Sequence, residues 1–327
     1  MMNGASFVYA PRAMWVDRKR SWIEMVALGG FALPHIWLRT IIITAISILV
    51  TILYEEVPAL HYTLTPTPFT LVGLPLGIFL GFRNNTSYDR FWEGRKLWGR
   101  LVNTARTITR QTLTLVGPLA GDERLEPSDE QRAFHRQTVH YVAAYVHCVR
   151  LHLRDEDHGE LARLLSPSEV TALDGESNRP IAMLQTLGDR FREAWLKGWI
   201  HDQHLPVLDR TLTELCDIQG GCERIKATPI PFSYTALIHQ IVAMYCFALP
   251  FGIMHSVGAY TPVVVAIISY AFFGLDAVGD EVEDPFGKDD NDLPLTSLSA
   301  MIELNIRQRV GDQDIPPRPQ PVNQVQI

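Results

Sequence analysis

The 327 residues contain only four cysteines, Cys148, Cys216, Cys222 and Cys246, and no two of them form a Cys-x-x-Cys pair. That excludes zinc-ribbon and thioredoxin-like motifs and fits buried free thiols in a reducing compartment. No phosphate loop, dinucleotide fingerprint or nucleophile elbow occurs. No acid–base pair or metal triad stands at catalytic spacing, so the chain is read as a non-enzyme. Basic excess is missing as well: 29 Lys and Arg face 36 Asp and Glu, a net charge of −7. Without a basic stripe carrying interleaved aromatics, no nucleic-acid partner is expected. Period-two alternation is absent, which argues against sheets. Charge itself is lacking over one long stretch, since Ala227 to Leu275 holds no Asp, Glu, Lys or Arg.

What is present is clustered. Apolar residues make up 47% of the chain and gather in two blocks, while the charges fill the rest. This argues for a membrane part and a cytosolic part. The N-terminal residues 1–33 carry Arg12, Arg18, Lys19 and Arg20 with Trp15 and Trp22, a juxtamembrane pattern rather than a cleavable signal. Pro34 to Tyr54 is long enough to cross about 30 Å of hydrocarbon as a helix, with Arg39 able to snorkel. A Pro-rich loop, Glu55 to Pro68, has no Lys or Arg. A second span starts near Phe69 and runs out into Arg83, Arg90, Arg95, Lys96 and Arg100. The uncharged stretch holds two more spans with a break between Pro250 and Pro262, and Asp276, Asp280, Glu281, Glu283 and Asp284 mark the exit of the last. By the positive-inside rule both termini are cytoplasmic. The expected divisions are 34–100 for spans one and two, 101–228 for a helical cytosolic domain, and 229–278 for spans three and four. An acidic segment packing on the cytosolic domain follows at 279–310, then a disordered tail at 311–327.

Within 101–228 the apolar spacing predicts helices throughout. The second span continues to about Val116, and a turn region occupies Gly117 to Ser128. A helix follows with Val139, Val142, Ala143, Val146 and Val149 on one side. Further helices are expected over Glu160 to Leu173 and Asn178 to Leu196, and one more that Gly220 and Gly221 end. The fold class is all-α.

The organising stretch is FTLVGLPLGIFLGFRNNTSYDRFWEGRKLWGR, residues 69–100. Leu74, Ile78 and Phe82 recur every four residues and share one helix face. Gly73, Gly77 and Gly81 form a small-residue stripe beside them, which lets helices approach closely in a bilayer. Pro75 should kink or loosen this helix. Spacing alone fits either a pore wall or the core face of an ordinary buried helix.

The segments RNNTSYDRFWEGRKLWG, GCERIKATPIPFSY and EVEDPFGKDDNDLPL together resemble the bestrophin family in its bacterial branch. The resemblance covers most of the chain, to about Leu295. It implies a homopentameric ion channel in the inner (plasma) membrane, with lipid and small inorganic ions as its other partners. It also implies a narrow apolar neck, and residue by residue that neck is Leu74, Ile78 and Phe82. A second, cytosolic constriction is implied within Ile225 to Ile230. Eukaryotic members conduct chloride and other anions, so small anions are the expected cargo. A cation-selective (Na/K) channel of the same architecture and a non-conducting membrane scaffold stand as alternatives. In eukaryotic members the segment matching DPFGKDDNDLP is a calcium clasp. Asp289, Asp290 and Asp292 fall on its acidic places, while Lys288 and Asn291 replace acids. Lost charge weakens a hard-cation site, and alone the run reads as a solvated loop, so no cofactor other than that calcium is expected. The cluster Arg83, Asp89, Arg90, Glu93, Arg95 and Lys96 reads as a salt-bridged helix. His201 and His204 read as surface histidines, and His239 and His255 as neutral histidines near the membrane interface.

Overall fold

The computed structural model describes residues 33–57, 65–119, 126–289 and 291–317. Among the described residues the chain is helical, with one isolated antiparallel bridge between Val116 and Ile200. The helices are α1 (Leu33–Glu56), α2 (Thr67–Leu115), α3 (Asp129–Leu153), α4 (Pro167–Ala172), α5 (Arg179–Leu196), α6 (Leu205–Ala227), α7 (Phe232–Val257), α8 (Thr261–Glu283) and α9 (Leu295–Arg307). Two compact units form. One comprises 33–99 with Ile218–Leu293, and the other Arg100–Asp217 with 294–317.

In the first unit α1, the start of α2, α7 and α8 share a core. Ile36 and Ile43 from α1, Leu76 and Leu80 from α2, Val242, Cys246 and Leu249 from α7, and Val265 and Phe273 from α8 are buried together. Residues 232–283 form one continuous apolar stretch that the 3₁₀ turn Gly258–Tyr260 divides. The break is narrower than the Pro250–Pro262 window, because Pro250 lies inside α7. Gly258 has φ +61, a left-handed conformation that suits glycine at the turn. Ile36–Glu56 and Phe232–Glu283 are each long and apolar enough to cross a membrane.

In the second unit α3 is the central element. Its start is held by a capping box, with Ser128 and Gln131 bonding each other's backbone N–H. The expected apolar side is buried, but so are Tyr141, Ala144, Tyr145, His147, Cys148 and Arg150 on the other faces. From Tyr141 to Leu151 the helix is enclosed on every face, where charges are carried only if each is paired. Glu303 on α9 does this for several. It accepts from His147 Nε2 at 2.9 Å, Arg163 Nη1 at 2.6 Å and Arg307 Nη1 at 2.9 Å. Burial alone would raise its pKa, yet those three donors hold its carboxyl well below the usual range. Glu160 is lowered to about 2, chiefly by His147, with Arg150 adding to it.

Four expectations are corrected. The span Glu160 to Leu173 is a 3₁₀ turn, Gly159–Arg163, and the six-residue α4, where a capping box between Ser166 and Glu169 starts a new helix. α6 does not end at Gly220 and Gly221 but runs on to Ala227. A Cβ at Gly221 would lie 3.0 Å from Leu97 Cδ1 and Cδ2, so this glycine serves close helix packing and not termination. The tail does not loosen at Gly311. Asp312 is buried, with Arg307 Nε at 2.8 Å and His140 Nε2 at 2.5 Å. Residues 318–327, and 1–32 at the other end, lie outside the described residues. Cys148, Cys222 and Cys246 are buried thiols, whereas Cys216 is exposed.

Two outcomes are expected. Gly221→Val should lower stability by about 1–3 kcal/mol through overpacking. Gly220→Ala, which points into open space, should be neutral or stabilising by up to about 1 kcal/mol; melting in detergent distinguishes them. Glu303, Glu160 and Asp312 all titrate lower when folded. For Glu160 that contribution is present above its ordinary value of 4.5 and lost as pH falls toward about 2, and Glu303 and Asp312 act with the same sign. Glu303→Gln should cost about 3–5 kcal/mol at neutral pH and flatten that acid dependence in pH-resolved unfolding.

Candidate pore-lining site

α2 turns by about 100° per residue, so Leu74, Ile78 and Phe82 lie roughly opposite Leu76, Leu80 and Arg83. The structure separates the two sets sharply. Leu76 and Leu80 are 4% and 0% exposed, while Leu74, Ile78 and Phe82 are 70%, 52% and 59% exposed. The single chain thus buries one face of α2 in its own core and leaves the expected neck row uncovered. That removes the reading of this row as the protomer's own core.

The glycine stripe divides. A Cβ on Gly73 would lie 2.5 Å from Tyr245 Oη and 3.0 Å from its Cζ, so Gly73 admits the Tyr245 ring of α7. Gly77 and Gly81 face open space. Pro75 sits within α2, which is helical on both sides of it.

Arg83 follows Phe82 but belongs to the buried face, and its side chain is 0% exposed. Such a charge survives burial only with partners. Nη1 donates to Asp276 Oδ1 at 2.8 Å and Nη2 donates to Asp280 Oδ1, both on α8. His239 Nε2 on α7 stands 3.3 Å from Asp276 Oδ1 and 3.3 Å from Asp280 Oδ2. Arg39 Nη1 on α1 lies 3.9 Å from Asp276 Oδ2. Two guanidinium groups thereby balance two carboxylates. His239, Asp276 and Asp280 bring their ligand atoms close enough for a cation. Arg83 already engages both carboxylates, so the cluster is an ion-pair junction between α2 and its neighbours α7 and α8.

Below it, further polar ties run from α2. Asn84 Nδ2 donates to the Leu275 carbonyl at 2.9 Å. Arg90 donates to the carbonyls of Glu283 at 3.0 Å, Ile225 at 2.8 Å and Thr228. Glu283 Oε1 accepts from the Ile230 backbone at 2.9 Å. Arg90 and Glu283 thus bracket the segment expected to hold the cytosolic constriction. Within it Ile225 and Ile230 are buried, and Ala227, Thr228 and Pro229 are exposed.

The acidic loop is tied into a turn. Asp292 Oδ2 accepts from the Asp289 backbone at 2.7 Å, and Asn291 donates to Glu281 at 2.8 Å. Among the described residues, Asp289 and Asp292 belong to no set of three converging ligand atoms, and Asp290 lies outside those residues. His201 and His204 lie 5.7 Å apart between ring centroids, tilted by 55°, without a third ligand among the described residues.

Sequence reasoning missed the Arg83 junction. It took Asp276 and Asp280 as exit markers and His239 as a lone interfacial histidine. The signal was available in register: Arg83 falls on the Leu76–Leu80 face, and Asp276 and Asp280 stand at i, i+4 where the apolar run of α8 ends.

Residues 14–308 match the family model described as bacterial and fungal bestrophin protein. The chain belongs to the bestrophin family. A Ralstonia nicotianae protein named as voltage-dependent anion channel-forming is 38% identical over 296 residues, covering 90% of this chain and 94% of the relative. An Escherichia coli K12 protein of the same description is 32% identical over 321 residues, covering 98% and 99%. The crystal structure of a bacterial bestrophin homolog from Klebsiella pneumoniae aligns with TM-score 0.78 at 34% identity, covering 85% of this chain and 99% of that one.

Removing the junction should be costly in this bestrophin. Arg83→Gln leaves Asp276 buried without its cation and should lower stability by about 3–5 kcal/mol. Arg83→Met combined with Asp276→Leu should recover most of that loss, read as the unfolding midpoint in detergent.

Proposed function

We propose that this bestrophin is a homopentameric channel of the inner membrane that passes small monovalent anions such as chloride. The observation that carries the reading is the uncovered row of Leu74, Ile78 and Phe82 on a helix whose other face is core. Five copies set around an axis would turn that row into three apolar rings. A narrow apolar tube holds water poorly, so ions meet a dehydration barrier and the pore gates by wetting and dewetting. Gly77 and Gly81, open in the single chain, leave room for neighbouring α2 helices to approach and rotate.

Four spans are proposed: α1, the first half of α2, α7 and α8. α1 at 24 residues reaches about 36 Å. It exposes Trp37, Leu38, Ile41 and Leu49, as a lipid-facing surface does. Both termini are placed in the cytoplasm by the basic residues of 1–33 and the charges after α8. No catalytic role and no resident cofactor are proposed, and the acidic loop is read as a structural turn.

The anion assignment rests on the names of the relatives, since the neck itself is uncharged. A cation-selective channel of the same architecture is the second reading. It is favoured by Arg83, which spends its charge on Asp276 and Asp280 and leaves none free below Phe82.

Currents from the purified protein in planar bilayers test both. The variant with Leu74, Ile78 and Phe82 all changed to Ala should conduct more or open more often. Currents identical to the parent, or no ion flux at all from liposomes, would overturn the neck or the channel respectively. A reversal potential toward the chloride equilibrium under a KCl gradient is expected, and one toward potassium selects the second reading.

A further inference from the structure

A cleft of about 490 Å³ lies in the second unit, between the C-terminal turns of α2 and the end of α9. Arg106 and Arg110 of α2 and Arg309 of the 3₁₀ turn Gln308–Val310 line it, with Leu113 and Ile306 as an apolar floor. Arg106 and Arg110 are one helical turn apart, where like charges repel. Among the described residues, neither they nor Arg309 have a carboxylate or any other side-chain partner. This contrasts with Arg136, Arg150, Arg163 and Arg307 of the same unit, each of which holds a carboxylate. No Asp or Glu lines the cleft. In a chain of net charge −7, three uncompensated guanidinium groups around one concavity call for an anion.

We propose that this cleft binds a soluble, multiply charged phosphate compound, a diphosphate or a nucleotide. Guanidinium forks match phosphate oxygens bidentately. Three forks from two elements suit a group offering oxygens in several planes, which a single planar carboxylate does not. The volume falls in the range of small-molecule sites, about 300–1,000 Å³. Leu113 and Ile306 would take the apolar side of a base or sugar. The site is separate from the neck row, and its occupancy is readable without any ion flux.

Calorimetry on the full chain in nanodiscs of zwitterionic lipid tests this, with sodium diphosphate and ATP as probes and NaCl at matched ionic strength as the blank. Saturable binding at one per chain is expected, weakening with salt. It should be about tenfold or more weaker in Arg106→Gln/Arg110→Gln and reduced in Arg309→Gln. Arg132→Gln, which removes an exposed arginine paired elsewhere with Asp129, should bind as the parent does. Absence of saturable heat, or equal binding by all variants, would overturn the proposal. So would two further results. In one, binding appears only when phosphatidylglycerol is added to the disc, which identifies a lipid headgroup. In the other, the double variant alters the oligomeric state without altering diphosphate binding, which identifies a neighbouring copy's carboxylates as the occupant.

Discussion

A guanidinium can be enclosed among packed helices only if carboxylates are enclosed with it. Arg83 meets that condition with Asp276 and Asp280, and this pairing sets the rotation of α2. Leu76, Leu80 and Arg83 must turn inward together, since they share one side of the helix. Leu74, Ile78 and Phe82 are then turned out of the core whatever else the protomer does. The greasy row is uncovered because a polar contact on the opposite side holds the helix in register. Asn84 and Arg90 extend the same restraint along α2 to the backbone of α8 and the α6–α7 junction.

The second unit applies the same physics with the signs reversed. There a carboxylate, Glu303, is the enclosed charge, and His147, Arg163 and Arg307 are its partners. α9 packs on α3, with Leu298 and Ile302 buried, and the His147–Glu303 hydrogen bond ties the two helices together. Both arrangements leave each buried charge compensated, so the arginines lining the α2–α9 cleft stand apart as a group without carboxylates among the described residues.

Much of the helical order was legible in the residues. Apolar runs bounded by Pro and charge located α1, α7 and α8, and the four-residue spacing singled out the row on α2. Local punctuation misled where tertiary contact overrode it. Gly220 and Gly221 look like a helix end, yet Gly221 is small because Leu97 needs the space. Glu160 to Leu173 has helical spacing but is split by the Ser166 cap. Asp312 sits in a polar, Pro-rich tail and is nonetheless buried against Arg307 and His140.

From its residues alone this protein was determined to be all-helical, with apolar blocks set apart from charged ones and a repeating large-apolar row on one helix. Those properties depend on neighbours a few positions away along the chain. Which side of α2 is core, and which acids answer Arg83, was decided only by the packed structure. The partners lie 193 and 197 residues apart in sequence, and register along one helix marks which positions share a face but not which distant side chains they meet.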